Sequence, residues 1–437
     1  MSNPLSPRGP VPSDAQLAYH RAPLAAFVHF GPNTFTGVEW GSGTEKADIF
    51  LPKSLDCRQW VKAFQSAGMT RGIITAKHHD GFCLWPTAYS EHSVASSGWK
   101  EGKGDVLAEL SQACREAGLG FGVYLSPWDR NHPTYGDPKY NDTFVAMLGE
   151  VLTRYGDVVE VWFDGANGEG PNGRRQVYDW PRFIAAVREN APNAVIFSDA
   201  GPDIRWVGNE AGFAKETNWN TLDRDRYQPG TPLYAELAEG QREGRYWVPN
   251  ECDVSIRPGW FWRATEDDKV KTLEQLQEIW YGSIGRGAML LINIPPNSDG
   301  LLSEPDVRRL AEFGAWQREC EKRIFRPADF GRQTTETCPR TGDRIAVVPS
   351  SLVVDLGAAF TFDHVDLKEA IGLGQRVARF AVDVRDGAGW REVATGTTIG
   401  NRRIIKVPPT TAEEIRVRIV EADGPALLTQ VAVWKAL

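Results

Sequence analysis

Apolar residues along the chain fall into short, nearly unbroken runs separated by amphipathic stretches. The run VVEVWF, Val158 to Phe163, is β-branched and aromatic, and it stops at Asp164-Gly165. Such a composition favours a strand, and a parallel strand covered on both faces reads as a continuous apolar run. Comparable runs lie at 25–30 (AAFVHF), 71–76 (RGIITA), 119–125 (LGFGVYL), 194–198 (AVIFS), 204–207, 246–251 (YWVPNE) and 288–294 (AMLLINI). Helical periodicity fills the intervals 56–68, 105–118, 140–155, 180–190, 267–284 and 304–322, with Asp56 as a cap and Gly68 as a stop signal. Residues 1–22, rich in Pro and Ser, read as a mobile arm.

Strand and helix alternate about eight times between residues 23 and 325, and polar or aromatic residues gather after nearly every strand. This predicts a (β/α)8-like barrel, whose chemistry sits at the C-terminal strand ends. A doubly wound open sheet is the rival, but no glycine-rich phosphate loop is present. Beyond about residue 325 helical periodicity disappears. Short alternating runs at 351–356, 364–367, 377–384, 391–393, 415–420 and 430–434 predict an all-β sandwich over 335–437, with the boundary near 325–340.

Composition narrows the function. A net charge of −8 argues against nucleic acid or an anionic membrane as partner. Sixteen Trp and eleven Tyr suit sugar binding, since flat rings cover the apolar faces of pyranosides. Six scattered Cys without metal spacing read as buried thiols. The N-terminus lacks the apolar core of a signal peptide, which predicts a cytosolic protein or one whose leader was removed. No run approaches the roughly 20 apolar residues of a membrane helix. The oligomeric state is not legible.

A carboxylate at the end of a buried strand, as at Asp164, can face a cavity, although Asp-Gly also reads as a plain turn. Glu210 in Gly208-Asn209-Glu210 allows the same two readings. Glu160 and Asp199 compete for an acid role. Strand alternation places Glu160 on the face of Asp164 but roughly 13 Å deeper. His78-His79-Asp80 could be a metal site, but neighbours on an extended chain point opposite ways, so metal chelation by both imidazoles is disfavoured and no metal is expected.

His29-Phe30-Gly31, Glu39-Trp40, Lys77-His78-His79-Asp80-Gly81-Phe82, Tyr124 with Ser126 and Trp128, and Trp162-Phe163-Asp164-Gly165 resemble, in type, order and spacing, the α-L-fucosidases of glycoside hydrolase family 29. The resemblance spans about residues 20–325. It implies that Asp164 is the nucleophile and that His29, His78, His79, Tyr124 and Trp162 line a fucose pocket. Glu39 and Trp40 match a sugar-contacting pair. Trp206 to Glu210 is similar to a subgroup whose acid/base is the Glu of GNE and which favours α-1,3/1,4-linked fucose on branched, Lewis-type glycans. Residues 251–263 also look like that subgroup. The likeness implies Trp260 against the fucose methyl, with Glu251, Asp253 and Arg257 toward the branch sugar. The implied activity is a retaining exo-α-L-fucosidase without a cofactor, acting on a fucosylated oligosaccharide or glycoconjugate. A broader fucosidase that also takes α-1,2 linkages and a non-catalytic fucose lectin are the alternatives. The C-terminal region resembles galactose-binding-like jelly rolls.

The chemistry asks for one ionised and one protonated carboxyl about 5–5.5 Å apart. Imidazoles and hydroxyl or N–H donors are expected to keep Asp164 ionised, and an apolar or negative surrounding to keep Glu210 protonated.

Overall fold

In the computed structural model, which describes residues 3–230, 234–327 and 335–436, eight parallel strands close into a barrel. They are β1 (Leu24–Val28), β2 (Arg71–Lys77), β3 (Gly120–Leu125), β4 (Val158–Trp162), β5 (Val195–Ser198), β6 (Ile204–Trp206), β7 (Asn250–Ser255) and β8 (Met289–Asn293). Each strand pairs with the next, and β8 closes on β1 with Phe27 opposite Asn293. Every residue of β1, β2, β7 and β8 is buried, and in β1 and β8 this burial shows in the sequence as an unbroken apolar run.

The helices longer than two turns are α1 (Asp14–Arg21), α2 (Cys57–Ser66), α3 (Val106–Ala117), α4 (Lys139–Thr153), α5 (Trp180–Asn190), α6 (Leu273–Gly282) and α7 (Glu304–Arg323). Local chemistry sets their ends. Asp56 accepts from the backbone N–H groups of Arg58 and Gln59, and Gly118 takes the left-handed conformation that stops α3. The expected helix over 267–284 begins later, at Leu273, where Thr272 and Gln275 form a capping box.

Three expectations change. The stretch read as a mobile arm contains α1, capped reciprocally by Ser13 and Gln16, with Gln16, Leu17, Tyr19 and His20 buried. The run 246–251 is not one strand. Tyr246–Trp247 pairs with Thr221–Leu222 in a separate ribbon, and the barrel strand starts at Asn250. No helix joins β5 to β6, and the longer link from β6 to β7 carries, besides that ribbon, a 3-10 turn at Arg224–Arg226 and a short helix at Tyr234–Glu239.

The C-terminal domain is antiparallel. Strands β9 (Thr335–Thr337), β10 (Arg344–Val348), β11 (Ser351–Glu369), β12 (Val377–Asp386), β13 (Gly389–Thr397), β14 (Arg403–Ala422) and β15 (Ala426–Trp434) run in the order β9-β10-β15-β11-β14-β12-β13. The expected sandwich is built from one hydrogen-bonded sheet, bent at bulges in the long pair β11 and β14, around a main apolar core with a smaller cluster of Cys338, Ile345, Ala370, Leu373 and Leu427. Part of the expected boundary, 328–334, lies outside the described residues. The domain grips the β6–β7 link: Thr398 Oγ1 accepts from Asn218 N at 2.9 Å, and Gln375 Oε1 from Asn220 N at 2.8 Å. Within this domain Trp390 has a guanidinium over its ring from Arg385 at 4.1 Å and from Arg416 at 4.6 Å. All six cysteines are buried and unbridged.

Inside the barrel the β2 cation Arg71 lies between two carboxylates. Its Nε donates to Glu160 at 2.7 Å, and Nη2 is 3.6 Å from Glu251. Tyr19 of α1 donates to Glu251 Oε2 at 2.6 Å, and Trp162 Nε1 to Glu251 Oε1 at 3.0 Å. Removing one partner from such a buried group leaves an uncompensated charge. Arg71→Met is expected to destabilise the fold by about 3–5 kcal/mol in denaturant unfolding. Arg58→Met, at the exposed pair with Glu116, is expected to leave the unfolding midpoint nearly unchanged.

Candidate active site

The C-terminal ends of the strands converge on one hollow. Asp164 lies two residues past β4. Its Oδ1 accepts from Ala166 N at 2.7 Å, and its Oδ2 from the Tyr124 hydroxyl of β3 at 2.9 Å. The turn reading and the cavity reading are both correct, one for each oxygen. Beneath it, Trp162 stacks on Phe197 at 3.9 Å and beside Tyr124 at 5.3 Å, forming an aromatic floor.

The imidazoles form the wall. His29 follows β1, while His78 and His79 sit in the turn after β2, where Gly81 N donates back to His78 O. That turn overrides the alternation expected of an extended chain, so the two neighbouring rings lie side by side at 4.2 Å. His78 is 5.6 Å from His29, and His29 is 5.0 Å from Trp260. Asp80 turns away and caps Phe82 N instead.

Hydrogen bonds assign the tautomers. Asn293 donates through Nδ2 to Ser255 Oγ and Trp260 O, so its Oδ1 accepts from His29 Nδ1–H at 2.9 Å. Ser126 donates its hydroxyl to Trp128 O, so its oxygen accepts from His79 Nδ1–H at 2.7 Å. Burial lowers His29 to about 3 and His79 to about 4, and pushes His78 well below its usual range. The rings are therefore neutral, and His29 and His79 are left with a bare Nε2 as acceptor. His79 Nε2 lies 3.7 Å from Asp164 Oδ2, which is not an ion pair between a neutral ring and a carboxylate. The expectation that imidazoles donate to Asp164 is corrected: Tyr124 O–H and Ala166 N–H are its donors.

Glu210 faces the same cavity, of about 660 Å³, as Asp164, Trp206 and Asp253. An antiparallel bridge between Ala211 and Val254 fixes its segment beside β7. Its Oε2 accepts from Trp260 Nε1 at 3.3 Å. Burial raises its pKa, and the charges of Asp164 and Glu39 push the same way, against the Trp260 hydrogen bond. Asp253 is buried, accepts from Trp206 Nε1 at 2.7 Å, and is raised well above the usual range by burial and by Glu210. Asp199 lines the cavity too, hydrogen-bonded to Gly230 N and raised to about 6 by burial.

Glu39 does not point freely into the hollow. It pairs with Arg263 at 2.6 Å and accepts from Trp260 N, so it holds the loop carrying that indole. Trp40 is exposed and rests edge-on against His79 and Trp128 at the rim. Two expectations fail. Glu251 is fully buried below Trp162 and pairs with neither Arg257 nor Arg263, so it meets no sugar in this arrangement. Arg257 is buried against Asp306 and Asp267, away from the cavity. Glu160 is likewise held by Arg71. Asn293, which orients His29, carries only a faint signal in the sequence, a polar residue ending a buried strand.

The α-L-fucosidase family model matches residues 28–321. The chain belongs to the α-L-fucosidase family. Alpha-L-fucosidase 1 of Arabidopsis thaliana is 42% identical over 421 residues, covering 91% of this chain and 82% of the relative. The structure of SpGH29 superposes with a TM-score of 0.92 at 39% identity, covering 99% of both chains. A GH29 fucosidase of Ruminococcus gnavus, solved in complex with fucose, gives 0.87 at 31% identity, covering 99% of this chain and 96% of that one. This α-L-fucosidase is thus a glycoside hydrolase built on a barrel with a β-sandwich behind it.

The sign of one effect on Glu210 is testable. Trp260 stabilises the charged carboxylate, so Trp260→Phe should raise its pKa further. The alkaline limb of the kcat/KM profile should move to higher pH even as KM worsens. A limb that moves down or stays would remove Glu210 from that titration.

Proposed function

We propose that this α-L-fucosidase is a retaining exo-enzyme acting on α-1,3/1,4-linked terminal fucose of branched glycans. The observation that supports it is the pair of unlike carboxyls on one cavity. Asp164 accepts two donors, while Glu210 is pushed toward its protonated form. Such a split in environment is how two acids take opposite roles.

In this reading fucose sits over Trp162. Its hydroxyls donate to Nε2 of His29 and His79, and its methyl lies against Trp260. Asp164 attacks the anomeric carbon while the glycosidic C–O bond breaks, and Glu210 gives its proton to the leaving oxygen. The product is a β-fucosyl ester. Esterification removes the charge of Asp164, one of the causes that raise Glu210. Glu210 then becomes a stronger acid in its protonated form and stays ionised, ready to take a proton from the attacking water. Hydrolysis releases α-fucose and restores both groups. No cofactor enters. Beyond the fucose position, the cavity wall of Gln176, Trp180, Trp206 and Gln228 leaves room for a branched aglycone.

Asp164→Ala should abolish turnover with the fold intact by circular dichroism. Glu210→Ala should lose about 100-fold or more on natural linkages and less on an aryl fucoside, with azide restoring activity through the ester. Failure of that rescue counts against the role of Glu210. Proton NMR of early product should show the α anomer, and first-formed β-fucose would refute retention. For linkage, a Lewis trisaccharide should exceed 2′-fucosyllactose in kcat/KM by about 10–100-fold. Equal rates would favour a broad fucosidase.

A further inference from the structure

Trp260 is held from several directions. Its backbone N–H donates to Glu39, its carbonyl accepts from Asn293 Nδ2 at 2.8 Å, and its indole donates to Glu210. One residue earlier, Gly259 O accepts from Ser255 Oγ at 2.7 Å. Ser255 and Asn293 end the barrel strands β7 and β8, so regular structure places them. Glu39 has no such support. It lies on a loop beyond the short helix Pro32–Thr36, and its neighbours Val38 and Trp40 are exposed. A group that fixes Glu39 therefore fixes one anchor of the indole.

Arg263 is that group. Its Nη2 donates to Glu39 Oε2 at 2.6 Å, its Nη1 to Glu266 Oε1 at 3.0 Å and its Nε to Gly37 O at 2.9 Å. All three guanidinium nitrogens are engaged, and their partners lie on two loops. Gly37 and Glu39 follow β1, and Glu266 follows β7. A planar fork meets three such partners at once, which the point charge of a lysine does not. The packing agrees. A Cβ at Gly259 would lie 2.6 Å from Arg263 Nη1 and 3.0 Å from Glu39 Oε2, so the ion pair rests on the bare face of that glycine. The φ of Gly259 is outside the left-handed region, so an alanine backbone fits there.

Glu210 stands at the far end of this chain of contacts. The Trp260 hydrogen bond favours its charged form, while the charges of Asp164 and Glu39 oppose it. Asp253 is the other acid that faces it. Without Arg263 the indole loosens and the charge of Glu39 stands unanswered. Both changes favour the protonated form of Glu210.

We propose that Arg263 is a positioning residue of the fucosidase reaction, clasping the loops after β1 and β7 through Glu39 and so setting Trp260 against the fucose methyl and the Glu210 carboxyl. The clasp rests on the roles proposed above for Trp260 and Glu210.

Kinetics of Arg263→Met, Arg263→Lys, Gly259→Ala and Trp260→Ala test it, with unfolding midpoints as the check on folding. The substrates are an aryl α-L-fucoside and the aryl β-D-arabinopyranoside, which is the same ring without its methyl group. Gly259→Ala wedges the clasp open while keeping both charges. It decides the matter should Arg263→Met fail to fold. In Arg263→Met the ratio of kcat/KM for fucoside over arabinoside should fall about threefold or more, the worth of one buried methyl. The alkaline limb of its kcat/KM profile should move to higher pH. Gly259→Ala should shift both readouts the same way, and Arg263→Lys should fall between Arg263→Met and the parent. A merely structural loss would slow both substrates alike and leave the limb in place. Either readout unchanged in folded Arg263→Met, where Trp260→Ala alters it, overturns the clasp alone. Both readouts unchanged in Trp260→Ala would overturn the roles of Trp260 and Glu210, and the clasp with them.

Discussion

One guanidinium organises the inside of this barrel. Arg71 neutralises two carboxylates that come from opposite sides of the lumen, Glu160 on β4 and Glu251 on β7. Glu251 in turn fixes the indole of Trp162, and that indole is the floor on which the catalytic hollow stands. Burial, and next to it Glu160, raises Glu251 well above the usual carboxylate range, with Arg71 opposing. Two acids and one base in a dry interior cannot all be ionised without a net charge. Glu251 is therefore held toward its protonated form, and Tyr19 from α1 donates to it. The helix that the sequence disguised as an arm is thereby part of the foundation of the site.

Above that floor, burial and geometry act in the same direction. Three imidazoles crowd together without repelling because desolvation keeps them uncharged. Neutral rings with fixed N–H groups are directional acceptors, which suits hydroxyls better than anions. The negative charge of the site is left to Asp164, held by a phenol and a backbone amide. Its field, together with burial, keeps Glu210 toward the neutral form.

Much of this was legible. Seven of the eight barrel strands read directly from apolar runs, because buried parallel strands leave no polar face to confuse the pattern. The eighth was misplaced, since Tyr246-Trp247 has strand composition but pairs locally, and β7 carries Asn250, Glu251 and Asp253 inside a strand. Polar residues facing a barrel lumen look like loop residues in one dimension. The same effect hid the fate of Glu251, whose partners Tyr19 and Arg71 lie far away in sequence. Asp164, the three histidines and Tyr124 do meet at one hollow, because residues at the ends of neighbouring strands converge once the barrel closes. The paired rings of His78 and His79 were not legible, because the turn closed by Gly81 replaces strand alternation. In the sandwich, the bulged halves of β11 and β14 broke the two-residue rhythm, and the segment 403–412 passed unnoticed.

The step from β5 to β6 lacks a helix, and from β6 to β7 the chain winds through loops gripped by the β-sandwich. Asp199 and Glu210 ride on these loops, whereas Asp164 is anchored by the phenol of a regular strand, β3. The two carboxyls proposed as the catalytic pair thus rest on different kinds of support, one beside regular strands and one on a long link. Insertions or replacements along 199–230 can reshape the Glu210 side of the cavity without disturbing the contacts that hold Asp164. Divergence in substrate preference within this architecture has a physical seam along which to proceed, and the rear domain sets how far that seam can open.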